Sequence, residues 1–307
     1  MDDGPDTPLP PQIALQTALS TPPNRFRVIN DEYRLWFERR SDVLYITFDN
    51  LATIDEDEPR KPWMWRRVED LGYSVLGIQS FRKDWYRHQT TGPMIRDLAG
   101  SGLFAPFRSV VLMGASMGGF AALNFAPLIP DARVLAFSPQ STMNQKIAPY
   151  ERRFRYSVRR SNWDGMPFLD AAAAIPYIPA VSILYDPLVP EDKAHVARMT
   201  APHVQLLRLN HATHEAIRVV IYCDALHQVM RDMAETGRVG PMLWQKMRYR
   251  RMVRKWARQF TGNLDTDRHP KLSIAACNAL LKAKPDQRFA KLARAKAEAN
   301  LAKKENV

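Results

Sequence analysis

Residues 109–125 read SVVLMGASMGGFAALNF. Residues 109–113 are apolar after the first, the pattern of a strand covered on both faces. From Met117 to residue 128 the chain is rich in Ala, Gly and apolar residues, which predicts a closely packed helix. Between them stands Gly114-Ala115-Ser116-Met117-Gly118, a G-x-S-x-G pattern at a strand-to-helix turn. Small residues there let strand and helix backbones approach. Ser116 then projects at the helix N-terminus, where the Met117 N–H is placed to stabilise an oxyanion. The competing reading is a tight structural turn with a spectator serine. The apolar strand and small-residue helix on either side favour the nucleophile.

Outward from this turn the chain alternates. Strands are predicted at 25–29 and 33–39, joined as a hairpin, and at 42–48, 73–79, 133–137, 180–185 and 204–209. Helices are predicted at 63–71, 91–101, 190–199 and 215–236. Alternation with continuously apolar strands implies a mostly parallel sheet with helices on both faces. Residues 141–178 break the alternation and read as a small insertion over one end of the sheet. There is no internal repeat.

The chain has 307 residues and a formal charge of +12. Its 46% hydrophobic and 25% charged residues are the balance of a folded domain rather than a disordered chain. No apolar run is long enough for a membrane-spanning helix. Cys223 and Cys277 are too few for a disulfide framework or a Cys-rich zinc site, so a reducing cytoplasm is expected. Residues 1–24 hold six prolines and few large apolar residues, and read as a flexible leader without a signal-peptide pattern. The whole charge excess lies in residues 239–307, with 17 Lys and Arg against 5 Asp and Glu. Residues 1–238 are therefore neutral overall, and the division expected is a body at 25–238 and a basic helical extension at 239–307.

GASMGG at 114–119 resembles the elbows of esterases and thioesterases in the α/β-hydrolase superfamily, and the resemblance covers roughly residues 25–236. It implies a doubly wound, mostly parallel α/β sheet. It also implies Ser, acid and His in that chain order, each on a loop after a strand. Asp186 follows the 180–185 strand directly and is the expected acid. Asp192 is its rival, one step further on, where a helix-start acid needs no catalytic role. The base is expected at His214, with His211 as the alternative. His195 and His227 lie within predicted helices as packing or surface residues. The oxyanion hole would use Met117 N–H and a second donor near Asn50 or Leu51, in a loop that lacks the family's common His-Gly. Longer stretches, such as GYSVLGIQSFRKDWYR (72–87) and DPLVPEDKAH (186–195), are similar to bacterial hydrolase-like proteins without a settled substrate.

The function implied is cleavage of an ester or thioester through an acyl-serine, with no metal or organic cofactor. Two alternatives stand beside it. One is a hydrolase-fold binding or assembly module without activity; the other is an acyltransferase using the same serine. Trp85, Tyr86 and Gln140 lie after strands and are candidates to line the substrate site. Five arginines within 152–160 suit either an anionic substrate, such as an acidic glycan ester, or a solvated helix face. Residues 241–260 predict one basic amphipathic helix, able to pack on the body or to meet an anionic membrane surface or an acidic partner. Residues 272–283 and 285–304 predict a helical pair. No nucleic-acid-binding fold is recognisable.

Overall fold

The computed structural model describes residues 24–57, 60–159, 161–165 and 167–305. The leader expected at 1–24, except Asn24, and Arg160 in the arginine run lie outside the described residues. Among those described, eight strands form one sheet: β1 (Arg25–Ile29), β2 (Tyr33–Glu38), β3 (Val43–Phe48), β4 (Ser74–Ser80), β5 (Ser109–Ala115), β6 (Arg133–Phe137), β7 (Ala180–Tyr185) and β8 (Val204–Arg208). Their order is β1-β2-β4-β3-β5-β6-β7-β8. β1 and β2 form an antiparallel hairpin, tightened by Asn30, whose Oδ1 accepts the Glu32 and Tyr33 N–H groups. β2 also runs antiparallel to β4, and every pairing from β4 to β8 is parallel.

Register sets where the site can form. Phe48 pairs with Gly114, Ala115 with Phe137, Phe137 with Leu184, and Tyr185 with Arg208. The C-terminal ends of β3, β5, β6, β7 and β8 therefore share one edge of the sheet, and the loops that follow them open side by side.

Alternate residues of each central strand enter opposite cores. Leu44, Ile46, Leu112, Val134 and Ile183 face one cluster; Val43, Tyr45, Val111, Leu135 and Leu184 face the other. The first core is covered by α2 (Thr91–Gly100), by α3 (Met117–Phe125) and by the helix that follows β7. The second is covered by α1 (Trp65–Glu69) and by the helices after β8. Both faces of the central strands are buried, which is why β3 and β5 read as nearly unbroken apolar runs, whereas β1 alternates exposed Arg25 and Arg27 with buried Phe26 and Val28. The insertion contributes two short helices, α4 (Arg155–Val158) and α5 (Ala171–Ala174), and α6 (Pro190–Ala197) follows β7.

Two predicted helices are interrupted. The 215–236 segment divides into α7 (Ala216–Tyr222) and α8 (Leu226–Thr236), because Asp224 adopts φ 53° and turns the chain. The 241–260 segment divides into α9 (Met242–Lys246), a 3-10 stretch (Met247–Met252) and α10 (Arg254–Gly262), with Val253 extended between the last two. The reason is phase. On one unbroken helix Leu243 and Trp256 would stand about 140° apart. The break lets Leu243, Met247, Val253, Trp256 and Ala257 all enter the second core. α11 (Pro270–Ala283) and α12 (Arg288–Glu305) complete the chain as a packed pair, contributing Leu280 and Ala290 to the same core. Cys223 and Cys277 are buried free thiols.

Candidate active site

Ser116 lies between β5 and α3 with φ 53° and ψ −117°, a strained conformation for a residue with a Cβ. It is held from both sides. Its N–H donates to Phe137 O at 2.9 Å, and the α3 backbone crosses β5 so closely that larger residues have no room. A Cβ on Gly114 would lie 2.1 Å from Gly118 C and O, and one on Gly118 would lie 2.6 Å from Phe48 O. These contacts draw α3 down onto the ends of β3 and β5 and present the Ser116 side chain at the sheet edge.

His214 comes from the loop after β8. Its Nε2 is 2.9 Å from Ser116 Oγ, and its Nδ1 is 2.9 Å from both Asp192 oxygens. The ionised carboxylate can only accept, so Nδ1 carries the proton and Nε2 is free to accept the serine hydroxyl. The tautomer is thus set by Asp192, which is almost fully buried. Asp192 also receives Arg153 Nη1 at 2.8 Å.

The acid on the imidazole is therefore Asp192, not the expected Asp186. Asp186 is also buried, but its oxygens are occupied: Oδ1 accepts Leu188 N–H at 2.9 Å and Oδ2 accepts Thr213 N–H at 2.7 Å. It ties the loop after β7 to the loop that delivers His214. Asp192 reaches inward because it is the third residue of α6, and α6 packs by the face that also carries His195 and Val196. The three-residue and four-residue spacing of 192, 195, 196 and 199 was a readable sign that this acid faces inward.

His211 is not at the site. Its ring meets Trp256 and Phe260 edge-on, and its Nδ1 faces Asn263 Nδ2 at 3.1 Å. Burial against this aromatic pair lowers its pKa. Asn50 is also occupied: its N–H donates to Thr53 Oγ1 at 3.0 Å and its Oδ1 accepts from Ala52 and Thr53. Leu51, next in the chain, is partly buried against the first core. Met117 opens α3, so its N–H belongs to the unpaired first turn.

Of the three substrate-site candidates, Gln140 reaches Ser116 directly. Trp85 Nε1 donates to Gln140 Oε1 at 3.1 Å, which fixes the amide so that Nε2 donates to Ser116 Oγ at 3.0 Å. Trp85 is fully buried and packs edge-on against Phe154 and Trp163 of the insertion. Tyr86 turns away; its hydroxyl donates to Ile78 O at 3.0 Å. Both residues have positive φ, near 58° and 56°, so the chain twists sharply to send the two rings in different directions.

Behind Asp192 lies a charged cluster the sequence did not disclose. Arg153 bridges Asp192 and Glu151, and Glu151 accepts from buried His195 Nε2 at 3.2 Å. Burial would raise the Glu151 pKa, but the hydrogen bonds from His195 and Arg153 outweigh it and hold it at about 2. Arg153 is thus drawn inward from the arginine run, whereas Arg152, Arg155 and Arg159 stay exposed. Among the described residues, no group of three or more His, Cys, Asp or Glu is gathered as a metal site would require.

An antiparallel hairpin beside parallel strands in the order 4-3-5-6-7-8, with a strained serine between the fifth strand and the next helix, decides the architecture. It is an α/β-hydrolase fold. No family model and no curated protein matches the chain. Among solved structures, the capsule O-acetyltransferase of Neisseria meningitidis serogroup A is similar at 12% identity and a TM-score of 0.48, over 66% of this chain and 93% of that one. A putative esterase from Staphylococcus aureus is similar at 17% identity and 0.47, over 69% and 83%. An esterase from Pyrococcus furiosus is similar at 13% and 0.45, over 71% and 91%.

Proposed function

We propose that the chain is a serine hydrolase that cleaves an ester or thioester through an acyl intermediate on Ser116. The observation that carries this reading is the continuous hydrogen-bonded line from Asp192 through His214 to Ser116 Oγ, each link at 2.9 Å. His214 Nε2 takes the hydroxyl proton as Oγ attacks the acyl carbonyl. Asp192 orients the ring and stabilises the imidazolium without taking its proton. The imidazolium then protonates the departing alkoxide or thiolate, and water attacks the acyl-serine by the same route in reverse.

The tetrahedral oxyanion is received by Met117 N–H and Leu51 N–H, the Asn50 N–H being engaged by Thr53. A donor of this kind contributes about 10²–10³ in rate. Gln140 Nε2 holds the serine oxygen in place before attack. Asp186 and Arg153 act as positioning residues, the first on the His214 loop and the second on Asp192. The catalytic body is residues 25–238, with 141–178 framing the site through Phe154 and Trp163, and the described residues of the 239–307 extension pack against it.

The test is turnover of p-nitrophenyl esters of increasing acyl length, measured beside Ser116→Ala. We expect saturable release of p-nitrophenol that Ser116→Ala abolishes. Equal release by wild type and Ser116→Ala, or none by either, sinks this reading and leaves the binding-module alternative. If added alcohol or amine acceptors raise product release and divert the acyl group from water, the enzyme is an acyltransferase on the same serine.

A further inference from the structure

Residues 239–264 contain seven Lys and Arg and no Asp or Glu. Their apolar side is used up in the second core, so what remains is the outer side of α9, the 3-10 stretch and α10. That outer side is not simply polar. Trp244 is 45% exposed, Tyr249 65% and Met252 46%, and Tyr222 on neighbouring α7 is 68% exposed. Interleaved with them are Arg248, Arg251, Arg254 and Arg258, which have no acidic partner among the described residues. Two other cations are paired, Lys246 with Asp224 and Lys255 with Glu215, while Arg250 lies over the Trp256 ring. Between α7 and α10 runs a cleft of about 690 Å³ lined by Arg218, Tyr222, Met252, Arg254, Lys255 and Arg258.

We infer that this face docks on an anionic lipid bilayer, with a phospholipid headgroup in the cleft. Charge complementarity argues for an anionic surface, and the exposed side chains decide which kind. Trp, Tyr and Met left in water forgo burial of their apolar area. A nucleic-acid backbone would neutralise the arginines but leave the methionine uncovered. The interfacial zone of a bilayer takes both: phosphates for the cations, and the headgroup–acyl boundary for the rings and thioether. α7 begins two residues after His214, so docking holds the flank beside the site against the membrane.

The full chain is co-sedimented with vesicles of phosphatidylcholine alone and of phosphatidylcholine with about a third phosphatidylglycerol, at low and high salt. We expect binding to the anionic vesicles, weakened by salt. Arg251→Gln/Arg254→Gln/Arg258→Gln should lose affinity on the order of a hundredfold, about fivefold per cation removed. Trp244→Ser/Met252→Ser should weaken binding at unchanged salt dependence. Unchanged circular dichroism melts establish that the variants fold, independently of any activity. Equal binding to both vesicle types, no binding to either, or variants that bind like wild type would overturn the inference. So would tighter binding of single-stranded RNA than of anionic vesicles, which would assign the face to nucleic acid.

Discussion

Glu151 carries a charge that the fold keeps buried between Arg153 and His195, and this makes it a reporter of the ion network behind Asp192. Its folded pKa of about 2 lies below the ordinary 4.5. The stability it contributes is therefore fully present above pH 4.5 and is lost as the pH falls towards 2. Glu151→Gln should cost about 3 kcal/mol at neutral pH, since it removes one partner of a buried pair. Urea unfolding of both proteins from pH 6 down to pH 2 checks this: the gap should close at the acid end, and a gap constant with pH contradicts it. Ser116 was legible because it stands directly where a strand ends, and His214 because it lies on the loop between a strand and the next helix. Asp192 is less legible, because Asp186 follows its strand directly and so fits the sequence pattern of the acid better. That residue took the loop-fastening task instead, and the helix after it turned Asp192 inward.

The central strands were the most legible elements, since burial on both faces demands nearly unbroken apolar runs and few other patterns supply them. The helices after β8 were less so. Nothing local in residues 215–260 announces a turn at Asp224 or a 3-10 stretch at 247–252; both arise because helices of fixed period must keep their apolar residues on a core whose shape the sheet sets. This bears on the basic segment. Leu243, Met247, Trp256 and Leu280 share a core with Val219, Val220 and Met230, and Trp256 Nε1 donates to Asn210 O at 2.8 Å. Val239 and Gln205 exchange two further hydrogen bonds. A chain ending at Arg238 would expose that core. We expect it to be insoluble or to bind hydrophobic dyes such as ANS, with no cooperative melt. A sharp melt close to that of the full chain would mean that residues 239–307 are an appendage.

At the scale of the whole molecule, the +12 charge and the proposed chemistry are joined by structure rather than by function. The basic segment holds its inner side to the sheet and carries the charge outward, while the site is assembled at the opposite ends of long chain separations. Ser116 comes from the turn after β5, Asp192 from α6 after β7, and His214 from the loop after β8. Only the parallel register that aligns these strand ends brings them within hydrogen-bond reach. The choice between the two aspartates is the sharpest consequence of that assembly. It is measured by the rate at which a fluorophosphonate labels Ser116, followed by intact mass, in wild type, Asp192→Asn and Asp186→Asn, with Ser116→Ala as the blank. We expect Asp192→Asn to slow labelling by roughly 10³–10⁴, the size of effect that follows loss of the orienting carboxylate. Asp186→Asn should slow it by less than about tenfold, since its backbone partners remain. Fast labelling of Asp192→Asn together with a collapse in Asp186→Asn would contradict the account.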